Sequence, residues 1–179
     1  TSIMLNEITT TGQGNVQYAC VEGKNRTAPT GDESWQTSTT FDRLKPGTDY
    51  TCFARYAGND CYEPSPASSP GLTATTERAD STLTVEPSST TLTYGETLTI
   101  TVTPEQTADT NTLNTLEDTV ELYIGNKLLV ANAGQGPYTL IYDTKEQDLS
   151  IGKNTLTVSY GGSDSLNPST AEVTVMLEK

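Results

Sequence analysis

"YAGNDCYEPSPA", residues 56–67, returns in altered form as "YGGSDSLNPSTA", residues 160–171. The two windows share Tyr56/Tyr160, Gly58/Gly162, Asp60/Asp164, Pro64/Pro168, Ser65/Ser169 and Ala67/Ala171 at an offset of 104. A second echo lies just upstream of each, Leu44-x-x-Gly47 and Leu149-x-x-Gly152. In a chain of 179 residues this offset favours two small domains over one large one, since β-sandwich domains run to roughly 100 residues. Every shared residue has a folding reason. Gly58 and Gly162 offer positive φ for a turn, and Asp60 and Asp164 can bond their own backbone two residues on. Pro64 and Pro168 donate no N–H, which suits an edge strand. Both windows therefore read as the hairpin joining the last two strands of a sandwich. The competing reading makes Tyr56, Asp60 and Tyr62 a loop tip that contacts a sugar or peptide, with aromatics stacking beside acids. Leu166 stands where Tyr62 does, so a binding site would not be the repeated feature.

Working outward, the flanking segments alternate. Val16, Tyr18 and Cys20 share one face of "NVQYACV", and Tyr50, Cys52, Ala54 and Tyr56 share one face of "TDYTCFARYA", as period-2 strands require. Pro46-Gly47 reads as a type II turn. In the second half, Leu98/Ile100/Val102, Val120/Leu122/Ile124, Leu156/Val158/Tyr160 and Val173/Val175/Leu177 each line one face, and Gly125-Asn126 marks a turn. No apolar stripe of period 3.6 runs far. Thr supplies 34 residues, a β-branched type suited to pleated surfaces. The chain reads as all-β. Aromatic residues make up 7% and hydrophobic residues 33%, so each core must be thin. Trp35, the single Trp, is expected to pack with Tyr50 and Phe41 between the sheets. The polar stretch at residues 105–118 reads as a long connection.

Net charge is −13, divided as −3 over residues 1–79 and −10 over residues 80–179. Like-charge repulsion argues against nucleic acid and anionic lipid as partners. The carboxylates are scattered, which reads as a solubilising surface and not a calcium site. The absence of His removes the commonest general base and metal ligand. Glu117 and Asp118 are adjacent, so a strand would point them to opposite faces and defeat a shared acid/base site. No catalytic residue, cofactor or metal ligand is assigned. No stretch is long and apolar enough to span a membrane. The sequence opens at Thr1, directly in strand-like "SIMLNEI", and is expected to be a piece of a longer protein.

The order of elements in residues 1–77 resembles the fibronectin type III-like repeats of bacterial surface proteins and secreted polysaccharide-processing enzymes. The residues that carry it are "WQTSTTFDRLKPGTDYT", "ARYA" and "SPAS". This half departs from the pattern in leaving little room for a first strand and in carrying cysteines. Residues 81–179 resemble the bacterial immunoglobulin-like repeats found in tandem on surface proteins, through "LTYGETLTITVTP", "VELYIGNKLL", "LSIGKNTLTVSYGG" and "PSTAEVTV". The "ADTNTLNTLED" segment is longer than that pattern provides.

These resemblances imply two tandem β-sandwiches, expected to stack end to end because only about five residues join them. They place Cys20 and Cys52 on neighbouring strands, where a Cys20–Cys52 bridge and three free thiols fit equally well, with Cys61 left over. They imply an extracellular, cell-surface or secreted location and a monomeric, non-catalytic spacer or adhesive stalk. The alternative is a glycan- or protein-binding accessory module of a larger secreted enzyme. An isopeptide cross-link from Lys127, Lys145 or Lys153 is disfavoured, since each lies near a turn.

Overall fold

The computed structural model describes residues 1–8, 14–107 and 118–179. It divides into two compact units, Thr1–Glu77 and Arg78–Lys179. Unit 1 holds β1 (Ile3–Met4), β2 (Val16–Glu22), β3 (Thr40–Phe41), β4 (Asp49–Tyr56) and β5 (Leu72–Thr75). Unit 2 holds β6 (Ser81–Pro87), β7 (Thr91–Thr93), β8 (Thr97–Gln106), β9 (Asp118–Ile124), β10 (Lys127–Gly134), β11 (Tyr138–Asp143), β12 (Gly152–Tyr160) and β13 (Ser169–Glu178). The protein is all-β. Residues 108–117, the heart of the expected long connection and the site of Glu117, lie outside the described residues.

Unit 2 is a two-sheet sandwich. One sheet runs β11-β8-β6 and the other β10-β9-β12-β13-β7, with β7 parallel to β13 and all other pairs antiparallel. That strand order is the one of an immunoglobulin-like sandwich, in which the chain crosses between sheets from β8 to β9, from β10 to β11 and from β11 to β12. The alternation read from the sequence fixes its core. Leu98, Ile100, Val102, Val120, Leu122, Leu156, Val158 and Val175 are all fully buried, while the Thr residues between them on β8 face outward. Tyr138, Leu140, Tyr142, Leu149, Tyr160 and Leu177 complete one continuous cluster.

Unit 1 is smaller and is built differently. A two-stranded sheet, β1-β3, faces a three-stranded sheet, β2-β4-β5. Ile3, Tyr50 and Cys52 pack between them, flanked by Leu5, Cys20, Leu44 and Ala74. The opposite face of β2-β4-β5 is covered as well, by Trp35 lying over Ala19 and Phe53. Four successive residues of β4, Tyr50 to Phe53, are therefore buried, so this strand is not the one-sided strand that simple alternation suggests. The expected Trp35–Tyr50–Phe41 cluster is corrected accordingly. Trp35 is buried, but on the far side of the sheet from Tyr50, and Phe41 is only half-buried. The cause is the segment after β2, which doubles back so that Gln36 exchanges two backbone hydrogen bonds with Tyr18 (2.7 and 2.9 Å). This lays Trp35 on the outer face, where its indole N–H donates to the Pro29 carbonyl at 3.2 Å.

One corner is made twice with different residues. The Tyr50 hydroxyl accepts from the Lys45 backbone N–H at 3.1 Å, a tyrosine corner two residues before Cys52. At the same place in unit 2, Asn154 stands two residues before Leu156 and is buried. Its side chain accepts from Ser150 N–H at 2.9 Å and donates to the carbonyls of Ser150 (2.7 Å) and Gly152 (3.0 Å).

Candidate functional site

Where the repeated windows fold, they form the same loop at the end of β4 and of β12. Asn59 N–H donates to the Tyr62 carbonyl at 2.8 Å, and Ser163 N–H donates to the Leu166 carbonyl at 3.0 Å. The Asn59 side chain accepts from the N–H groups of Cys61 (2.8 Å) and Tyr62 (3.0 Å). Ser163 Oγ accepts from those of Ser165 (3.2 Å) and Leu166 (3.0 Å). The side chain that organises each turn is thus Asn59 or Ser163, an Asx- or Ser-type turn, and not the shared Asp60 or Asp164. Both aspartates are exposed.

The glycines are required for close approach. A Cβ on Gly58 would lie 2.7 Å from the Tyr62 carbonyl oxygen and 2.8 Å from Pro64. One on Gly162 would lie 2.8 Å from the Leu166 oxygen and 2.9 Å from Pro168. Gly162 also has φ +81°, whereas Gly58 is not among the positive-φ residues, so the expectation of positive φ holds for one of the two.

The windows then diverge. Tyr160 is buried, and its hydroxyl donates to Asp118 Oδ2 at 2.6 Å; burial first, then this bond, hold its phenol far above the ordinary value. Tyr56 is partly exposed. Leu166 is 6% exposed, while its counterpart Tyr62 is 75% exposed.

Tyr62 stands at the mouth of an open groove of about 400 Å³ in unit 1, lined by Gln17, Asp32, Arg55, Asn59, Glu63 and Pro64 among others. Arg55 organises its floor. Its guanidinium lies 4.3 Å from the centre of the Trp35 ring, a cation–π stack that screens the indole from water. It also donates to Gln17 Oε1 at 3.0 Å and pairs with Asp32 Oδ1 at 2.6 Å. Of the three loop residues singled out from sequence, the groove takes in Tyr62 and leaves Tyr56 and Asp60 outside its lining. The residues that sequence reasoning passed over are Gln17 and Arg55, cross-strand partners on β2 and β4. They lie on the face of β2 and β4 opposite the one whose residues the alternation grouped together. Asp32 comes from a short 3₁₀ turn that no strand pattern marks. Chemically the groove offers amides, two carboxylates, one guanidinium and an exposed phenol ring. It suits hydrogen bonding and stacking.

Cys20 and Cys52 face one another across β2 and β4 with their Cα atoms 4.0 Å apart and their sulfurs at bonding distance; Cys61 is exposed. Lys127, Lys145 and Lys153 are all exposed, and Lys127 pairs with Asp148. Among the described residues no helix is long and apolar enough to cross a membrane.

Scanned against protein-family models the chain matches none, and no curated protein matches it. Solved structures do. The chain is similar to the Yersinia pseudotuberculosis adhesin InvE at 14% identity and TM-score 0.39, covering 93% of this chain and 49% of that one. It is similar to the fibronectin(III)-like modules of Clostridium thermocellum CbhA at 13% identity and TM-score 0.40, covering 94% and 83%. A third match is the three N-terminal domains of the bacteriophage RB49 outer capsid protein Hoc, at 13% identity and TM-score 0.38, covering 96% and 51%. The chain thus spans about half the length of InvE. The fold assignment stands on the strand pairing itself.

Proposed function

We propose that this chain is a non-catalytic, two-domain piece of an extracellular protein, cell-surface or secreted, that serves as a structural spacer or adhesive stalk. The observation that carries this reading is the repeated loop. In both units its shared Gly and Pro pack against each other, and its Asn or Ser is occupied by the turn's own N–H groups. The most repeated residues therefore build the fold and leave little of themselves for a ligand. The burial of Trp35 and Tyr18 points the same way, because a row of exposed aromatics would have suited sugar stacking. Resemblance of residues 1–77 and 81–179 to bacterial surface repeats supports the location, and a monomer is the expected state.

A second reading has its own observation. Tyr62, 75% exposed beside Gln17, Asp32, Asn59 and Glu63, gives unit 1 the makings of a glycan- or protein-binding accessory site. A glycan array probed with the full chain, alongside Tyr62→Ala, separates the two. The spacer reading expects no retained glycan. Retention that disappears in Tyr62→Ala would replace it with the accessory reading.

A further inference from the structure

The loop that the two units share is finished with different chemistry in each. In unit 2 it is spent on the fold. Leu166 is buried, and the Asn167 side chain donates to Asp80 at 3.0 Å. On the strands beneath, Ser159 of β12 stands opposite Glu121 of β9, whose carboxylate accepts from the Tyr123 hydroxyl at 2.7 Å. At the same four places unit 1 carries Tyr62, Glu63, Arg55 and Gln17, and all four line its groove. The groove is thus built where the repeat departs from itself.

The hydrogen bonds already made there decide what remains to be offered. Gln17 Oε1 is taken by the Arg55 side chain and Asn59 Oδ1 by two backbone N–H groups, which orients both amides. Their NH2 groups are left as donors with no partner among the described residues. Asp32 holds Arg55 through one oxygen, and its side chain is 80% exposed, so its other oxygen is a free acceptor. The Glu63 carboxylate joins no ion pair among the described residues. Arg55 itself is closed off between Gln17, Asp32 and the Trp35 ring. Two amide donors and two carboxylate acceptors therefore surround one uncovered phenol ring, that of Tyr62.

Charge and hydrogen-bond sense then discriminate among ligands. An anion meets the like charges of Asp32 and Glu63. An ammonium or guanidinium group only donates, so it leaves both amides unmet and lies over the Arg55 charge. A sugar hydroxyl both donates and accepts, so neighbouring hydroxyls satisfy amides and carboxylates together while the C–H face of the ring lies on Tyr62. We infer that the unit 1 groove binds a neutral saccharide ring, stacked on Tyr62 and hydrogen-bonded through its hydroxyls to Gln17, Asp32, Asn59 and Glu63. The inference rests on the second reading above and narrows its ligand to one class. Unit 2, with Leu166 buried and Asn167 engaged, lacks the counterpart.

The test follows the nitrogen-labelled full chain by NMR during titration with neutral disaccharides (maltose, lactose, mannobiose and chitobiose). Glucuronic acid, glucosamine and a trilysine peptide serve as charged comparators. At least one neutral disaccharide should shift the side-chain amide signals of Gln17 and Asn59 and the backbone amide of Tyr62 saturably, leaving unit 2 signals in place. Tyr62→Ala should weaken that binding at least about tenfold with the melting temperature kept, since its ring lies outside the core. Should that variant not fold, Glu63→Gln keeps the shape of the loop. It should weaken neutral sugars by about fivefold, the loss of one charged acceptor, and reduce the discrimination against glucuronic acid. Preference for a charged comparator, lost in Tyr62→Ala, would overturn the neutral-sugar assignment and leave the accessory reading standing. No saturable shift with any of these ligands would overturn both. Shifts confined to unit 2, or unaffected by either variant, would overturn the inference as well.

Discussion

Tyr50 and Asn154 solve one problem with two chemistries. Each ties the turn that precedes a central strand to that strand's first buried residues, and each accepts from the N–H of the residue just after a buried or half-buried Leu. The phenol of Tyr50 reaches over a loop one residue longer; the short amide of Asn154 serves a tighter one and also donates twice. The consequences of truncation differ accordingly. Tyr50→Phe removes one acceptor and should cost about 1 kcal/mol in denaturant unfolding of unit 1. Asn154→Ala removes three hydrogen bonds made by a buried side chain to the backbone of Ser150 and Gly152 and should cost about 2–3 kcal/mol in unit 2. Equal small effects at both would refute the assignment of Asn154 as the corner. Trp35→Ala should cost about 3–5 kcal/mol through lost packing on Ala19 and Phe53, and the native emission should be blue-shifted. For the cysteines, we propose a Cys20–Cys52 bridge, given their facing positions. Thiol titration of the denatured, unreduced chain should then find one reactive cysteine, Cys61; finding three would end the proposal.

At the scale of strands and loops, period-2 reading worked where one face of a strand meets the core and failed where both do. All four strand phases read from unit 2 are the phases observed, because the outer faces of these strands are left largely to Thr, Glu, Ser and Lys. In β4 the same rule picked Tyr50 and Cys52 but missed Phe53, since nothing local says that Trp35 will return to cover the other side. The candidate groove suffered from that miss, because Arg55 shares the face of Phe53. The repeated loops were legible in role but not in detail. Their proline and glycine spacing announced a turn, while the identity of the capping side chain depended on a backbone geometry that spacing does not show. That geometry makes a clear prediction. Gly162→Ala sets a Cβ 2.8 Å from a backbone oxygen at φ +81°, so it should destabilise unit 2 by about 1–3 kcal/mol and loosen the backbone hydrogen bonds that Ala79 makes with Ser165 and Asn167. Gly58→Ala meets similar crowding without the φ penalty and should cost less. A Gly162→Ala protein as stable as the parent would mean the loop does not need its close approach.

For the whole molecule, two cores of unequal size should behave as two cooperative units with different sensitivities. Among the described residues unit 2 buries seventeen apolar side chains in one cluster, whereas unit 1 divides six between two clusters on opposite faces of one sheet. Calorimetry at neutral pH should therefore show two transitions, the lower belonging to unit 1. Their pH responses should separate them. In unit 2, burial holds the phenols of Tyr138, Tyr142 and Tyr160 above the ordinary tyrosine value. The folded unit keeps protons that the unfolded chain releases, so this contribution is whole below roughly pH 10 and declines as pH rises beyond it. In unit 1, the hydrogen bond from Thr75 and then the ion pair with Lys24 hold the Asp49 carboxyl below its ordinary value. Its contribution is whole above roughly pH 4 and declines as pH falls. Alkali should thus lower the upper transition first, and acid should lower the lower one, modestly because Asp49 is near solvent. Tyr160→Phe should blunt the alkaline response of the upper transition while leaving the acid response of the lower one intact. A single transition moving as one at both extremes would show that the two units do not unfold independently.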